Sequence, residues 1–170
     1  DPGETNKTGA DDMKFLDGDT VGSAVNGTVD PGLKEAPAKL ELTDDWAAAD
    51  YLVDPQDASK IRVFAAEAEP DRTDTVDGAT VKHYTQTSVA DIANKGTDVT
   101  DMFDIKVEGT VATATAKPDY LKTLKGMRKG LQLTLLVPFT VNFADGKGAA
   151  RVREDFGRKP GDEVTFCTSP

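Results

Sequence analysis

Cysteine and histidine are almost missing from this sequence: among 170 residues each occurs once, as Cys167 and His83. A single thiol excludes an internal disulfide and a cysteine-based zinc site, leaving Cys167 as a buried thiol or as the partner of a residue outside the sequence. A single histidine leaves any Ser-His or Cys-His nucleophile pair one base, and His83 lies in a strand-like pattern where a surface or core histidine is the ordinary reading. Aromatic residues make up 6% and show no clustering. Basic residues are outnumbered 30 to 20, for a formal charge of -10. That balance argues against nucleic acid or an anionic membrane as partner and fits a self-repelling surface or loose cation binding. No run is long enough to span a membrane, no signal peptide is present, and no internal repeat is visible. Gly126 and Gly130 lack phosphate-loop spacing, so Lys122, Lys125, Arg128 and Lys129 around them read as a solvated basic face. The expectation is a non-catalytic protein. Because the sequence begins at Asp1-Pro2-Gly3 without an initiator Met, it is expected to be a piece of something longer.

What is present is alternation. Phe103, Ile105 and Val107 alternate with Asp104 and Lys106; after Glu108-Gly109, Val111, Thr113 and Thr115 alternate with Ala112, Ala114 and Ala116. Two period-two runs about a Gly-containing break predict a hairpin. Leu131 to Phe143 is the most apolar run, read as a strand buried on both sides with a bulge or edge at Pro138. These three strands form the expected centre of the core. Residues 1–12 hold almost nothing apolar and read as a flexible leader, with residues 13–170 as one domain. Further strands are predicted at Met13–Leu16, Leu40–Thr43, Lys60–Phe64, Thr80–Thr85, Ala149–Arg153 and Glu163–Cys167, the Thr80 strand as a hairpin partner of Lys60–Phe64. Thr20–Pro37, with its Gly, Pro, Asn and Asp, reads as a long surface loop with a tight turn at Asn26-Gly27, and Ala65–Gly78 as an acidic loop. Short helical turns are predicted after Trp46, between the cap Ser88 and Gly96, and from Pro118 to Leu124. Many short strands with little helix predict an all-β antiparallel sandwich of the Ig-like, Greek-key type with one or two short helices.

Two acidic clusters are candidate Ca²⁺ ligands, since Ca²⁺ takes six to eight hard oxygens. One is Asp71, Asp74 and Asp77; the other is Asp44-Asp45 with Asp50 or Asp54. Neither has EF-hand spacing, and an ordinary acidic loop is the stronger reading of the first. Trp46, Tyr51 and Tyr84 are the candidate lining of a carbohydrate- or matrix-binding face.

Thr43-Asp44-Asp45-Trp46 through Leu52-Val53-Asp54, then Lys60-Ile61-Arg62-Val63, Gly96-Thr97-Asp98-Val99-Thr100-Asp101-Met102-Phe103 and Val111 to Lys117 resemble, in order, the C-terminal stalk domains of Gram-positive cell-wall adhesins. The type is that of the antigen I/II family and related isopeptide-forming fimbrial domains, and the resemblance spans residues 40–143. It implies a secreted, wall-attached adhesin or fimbrial module, serving as stalk or ligand-presenting unit, whose partners are neighbouring domains of the same surface protein and a host or bacterial surface ligand. It also implies an intramolecular Lys-Asn isopeptide bond formed beside a buried carboxyl. An apolar pocket disfavours both charges, so the amine is neutral and the acid protonated. Lys14 falls where the family's lysine lies, and Asp44 or Asp45 matches its acidic pair. The family's asparagine has no clean match: Ala149 to Arg153 contains none, leaving Asn142 or Asp155.

Overall fold

The computed structural model describes residues 20–47, 52–53, 58–141 and 163–168. Its strands are β1 (Thr20–Val29), β2 (Glu41–Asp45), β3 (Leu52–Val53), β4 (Arg62–Ala68), β5 (Pro70–Val76), β6 (Ala79–Tyr84), β7 (Thr97–Asp98), β8 (Phe103–Glu108), β9 (Val111–Ala116), β10 (Gly130–Val141) and β11 (Glu163–Thr168). Two short helices, α1 (Val89–Lys95) and α2 (Pro118–Thr123), complete them. The larger sheet has the order β11-β1-β10-β4-β7, with β3 also on β10; the smaller is β2-β9-β8, and β5-β6 is a separate hairpin. Every pairing is antiparallel except β1 with β11, which is parallel. The chain is an all-β sandwich.

Between the sheets the period of two sorts the side chains. Val25 and Val29 of β1, Val63 of β4, and Leu133, Leu135, Val137 and Phe139 of β10 meet Leu42 of β2, Trp46 just beyond it, Phe103 of β8 and Ala112, Ala114 and Ala116 of β9. β9 presents its alanines inward, so that small residues face the large ones of β10 and the layers interdigitate. Trp46 packs edge-on against Phe139 at 4.9 Å, and Tyr120 of α2 closes over Phe103 at 5.3 Å. Pro118 occupies the first turn of α2, and Ser88 caps α1 through the Asp91 amide while the Gly96 amide closes its last turn, as the sequence predicts. Pro138 lies where the neighbour of β10 changes, between Leu136 opposite Arg62 of β4 and Thr140 opposite Val53 of β3. A residue without an amide hydrogen is tolerated in such a gap.

Two loop expectations are corrected. Thr20–Val29 is a ten-residue strand inside the larger sheet, not a surface loop, and Asn26-Gly27 is mid-strand rather than a turn. A Cβ on Gly27 would come within 2.9 Å of Leu42 Cδ2, so glycine here serves close approach of the sheets. Asn26 is buried in a polar cluster on the far face. The acidic loop is the second correction: β4 runs on to Ala68, and β5 and β6 form a hairpin about Asp77-Gly78, both at positive φ (51° and 79°). The partner of β6 is thus β5, not the Lys60–Phe64 strand. The β5–β6 hairpin stands in solvent, with Val76 and Val81 the large exposed apolar residues. Of the remaining expectations, the strands at Met13–Leu16 and Ala149–Arg153 lie outside the described residues, as do the alanines behind the helical turn after Trp46, beyond which Leu52–Val53 is strand.

The back of the larger sheet is closed by polar groups. Gln132 and Thr134 of β10 and Asn26 of β1 are buried there. The Gln132 side-chain amide accepts from the Thr87 amide (2.8 Å) and donates to the Thr87 carbonyl (3.1 Å), as a neighbouring strand would. Thr134 Oγ1 donates to Asn26 Oδ1 at 2.7 Å, and Asn26 Nδ2 donates to Gln86 at 3.2 Å. The segment leading into α1 is held to the sheet in this way, and Ile92 of α1 is fully buried. Replacing Gln132 by Leu strands these groups, which costs about 1–3 kcal/mol. Urea denaturation should register that loss, with faster exchange of the Thr87 amide, whereas Val76→Ala in the hairpin should stay within about 0.5 kcal/mol of the parent.

Candidate functional site

Alternation along β2 turns Leu42, Asp44 and Trp46 inward and Glu41, Thr43 and Asp45 outward. Asp44 is therefore a carboxyl inside the sandwich, 2% exposed, between two apolar neighbours. Ser23 of β1, equally buried in the opposite sheet, donates from Oγ to Asp44 Oδ2 at 2.7 Å. Burial pushes the Asp44 carboxyl above its ordinary range; the Ser23 hydroxyl pulls it back in part, and the neighbouring Asp45 charge adds to the rise. The result is an acid whose protonated form is favoured by its surroundings. Asp45 differs: exposed, it accepts from Thr110 Oγ1 (3.1 Å) and the Ala47 amide (3.0 Å) and ties β2 to the β8–β9 turn.

Lys14, Tyr51, Asn142 and Asp155 lie outside the described residues. Trp46 and Tyr84 do not share a ligand face. Trp46 is 5% exposed against Phe139. Tyr84 lies beside Gly130, where a Cβ would come within 2.7 Å of its ring. Phe139 and Gly130 sit toward opposite ends of β10, about 30 Å apart along an extended chain. Burial and the Asp30 carboxylate, to which its hydroxyl donates, push the Tyr84 phenol up to about 12.

Within the first acidic cluster, Asp74 Oδ2 is 2.9 Å from His83 Nε2 and 3.4 Å from Arg72 Nε. Asp77 is the turn residue at positive φ, and the Asp71 side chain lies outside the description. Among the described residues no three His, Cys, Asp or Glu side chains converge as a metal site. His83, the single candidate base, is engaged with Asp74 on the hairpin. The basic face is partly neutralised: Lys129 contacts Glu67 at 3.3 Å and Glu69 at 3.8 Å, and Lys122 contacts Asp119 at 3.9 Å. No helix among the described residues is long and apolar enough to cross a membrane.

Ser23 and the Gln132 cluster escaped the sequence reading. Ser23 lies in a stretch whose Gly, Asn and Asp content reads as loop. Gln132 and Thr134, polar residues set among leucines, were the available signal that the far face of β10 needs hydrogen bonds. No family model, curated protein or solved structure matches the chain.

The Asp44 carboxyl has a pH signature. Its pKa is raised in the folded state, so its contribution to stability is fully present below the unfolded value of about 3.9 and is lost as pH rises through the folded value. Asp44→Asn keeps the shape and removes the titration. The variant should gain stability relative to the parent between pH 4 and pH 8, read from paired urea melts; a gap independent of pH would mean that the folded-state pKa is not raised.

Proposed function

We propose that this chain is a non-catalytic β-sandwich module of a secreted, wall-attached surface protein, acting as stalk or ligand-presenting unit and closed by one intramolecular amide bond. The observation that carries the reading is Asp44: an acid sealed between two sheets, joined to a serine of the facing sheet, in the segment that resembles the acidic element of adhesin stalk domains. A second feature supports it. Thr20 at the start of β1 is paired with Thr140 near the end of β10. The chain ends leading back to Lys14 and on to Asn142 therefore leave the sandwich from neighbouring strands.

In the closing step the neutral Lys14 amine attacks the side-chain carbonyl carbon of Asn142, and ammonia leaves as the new C–N bond forms. With Asp155 as the acceptor, water leaves instead. Asp44, protonated, donates a hydrogen bond to the carbonyl oxygen under attack and passes protons between amine and leaving group, ending as it began. The bond restricts the unfolded chain as a disulfide does.

The intact mass of the purified chain tests the closure. A deficit of about 17 Da marks a Lys-Asn bond and about 18 Da a Lys-Asp bond, by loss of ammonia or water. The deficit should vanish in Lys14→Arg and form at least tenfold more slowly in Asp44→Ala. The full sequence mass in the parent would remove the bond from the reading, and failure to recover peptides of this chain by protease shaving of intact source cells would remove the display role.

A further inference from the structure

Among the described residues β11 has one strand neighbour in the larger sheet, β1, and the two run parallel. Their register is unbroken over six positions, from Thr20 opposite Glu163 to Val25 opposite Thr168. β1 is in turn held along its whole length by β10, from Thr20 opposite Thr140 to Val29 opposite Leu131. One strand near each end of the chain thus lies side by side at a sheet edge.

Parallel direction decides what tension does to this pair. A pull on the amino-terminal side enters β1 at Thr20. A pull on the carboxy-terminal side enters β11 at Thr168, which the register sets at the opposite end of the ladder. The strands are then drawn past one another along their length, and every hydrogen bond of the evenly spaced parallel ladder carries load together. In an antiparallel pair joined to the same two tethers, both pulls would enter at one end and open the bonds one after another. Each bond contributes only about 0.5–1.5 kcal/mol net, so their simultaneous rupture gives the ladder its resistance. The backing by β10 keeps β1 from peeling away as the load is applied.

We propose that the β1–β11 ladder is a force-bearing clamp, giving the domain a mechanical function that hydrogen bonds alone supply. Its use in the cell rests on the display reading, since a tethered module is the kind that meets tension; its geometry does not depend on the amide bond. Forced unfolding reports the barrier rather than the equilibrium stability, so the clamp is tested by pulling.

The experiment is single-molecule force spectroscopy of the full chain in two geometries. Handles at residues 1 and 170 load the ladder in shear; handles at residues 19 and 162, at the same end of both strands, unzip it. The shear geometry should need at least twice the force at the same loading rate, and equal forces would overturn the clamp. Thr165→Pro and Phe166→Pro form an internal control, because successive residues of an edge strand turn their amides alternately toward and away from the neighbour. One of the two should lower the shear force by half or more and the other much less, with circular dichroism checking that both fold; indifference of the force to both would also overturn it. The length released separates this proposal from the amide bond. Without the bond, rupture frees the chain between the two strands, roughly 500 Å at about 3.5 Å per residue. A bond from Lys14 to Asn142 or Asp155 withholds most of that length and leaves a release below roughly 150 Å, while the comparison of the two geometries in Lys14→Arg still decides the clamp.

Discussion

The constraint on which the rest of the structure depends is that β10 has two faces to hide and only one of them is apolar. Leu133, Leu135, Val137 and Phe139 are satisfied by the smaller sheet. Gln132 and Thr134 are turned the other way and are nonetheless buried. A buried amide without partners is costly, so the far face needs a cover that brings hydrogen bonds. The backbone of Thr87 supplies them, with Asn26 and Gln86 completing the set. The position of α1 follows from this demand, since the helix begins directly after the segment that Gln132 grips.

The same two-faced arrangement explains the composition of the smaller sheet. With bulky leucines and Phe139 filling the space from one side, β9 opposes them with alanine, and its valine and threonines turn outward. Gly27 allows Leu42 to approach β1. Bulk is concentrated at the two ends of the small sheet, in Trp46 against Phe139 and Phe103 against Tyr120. Large and small positions thus follow one volume-filling rule across both layers.

How much of this was legible in the sequence follows from the same physics. Period-two runs with one wet face announced β8 and β9, and an unbroken apolar run announced β10, because burial itself writes those patterns. The caps Ser88 and Pro118 were legible because capping is local. β1 was not. Its glycines, asparagine and serine are the residues of turns, yet each answers a tertiary demand: Gly27 a close approach, Asn26 a buried network, Ser23 a carboxyl across the core. The hairpin β5–β6 hid for the opposite reason, being exposed on both faces and so carrying no apolar alternation. Of the candidate site, the pair Asp44-Asp45 stands out in the sequence, both as an acidic cluster and by resemblance. That Asp44 and not Asp45 is the sealed acid depends on which face of β2 meets β1, and two adjacent aspartates cannot reveal that.

Asp44 is the residue that the folding argument alone does not account for. Threonine or valine at this place, between Leu42 and Trp46, would pack without a desolvated acid, and one hydroxyl is thin compensation for taking a carboxyl out of water. Asn26, Gln132 and Thr134 are buried too, but they satisfy one another and hold a segment in place; among the described residues the Asp44 carboxyl is met by the Ser23 hydroxyl alone. Local rules broken without a stabilising return concentrate where a protein performs chemistry. Perturbation of an acid by burial is also what a proton donor requires. The imbalance at Asp44 therefore weighs in favour of the bond-forming role proposed for it.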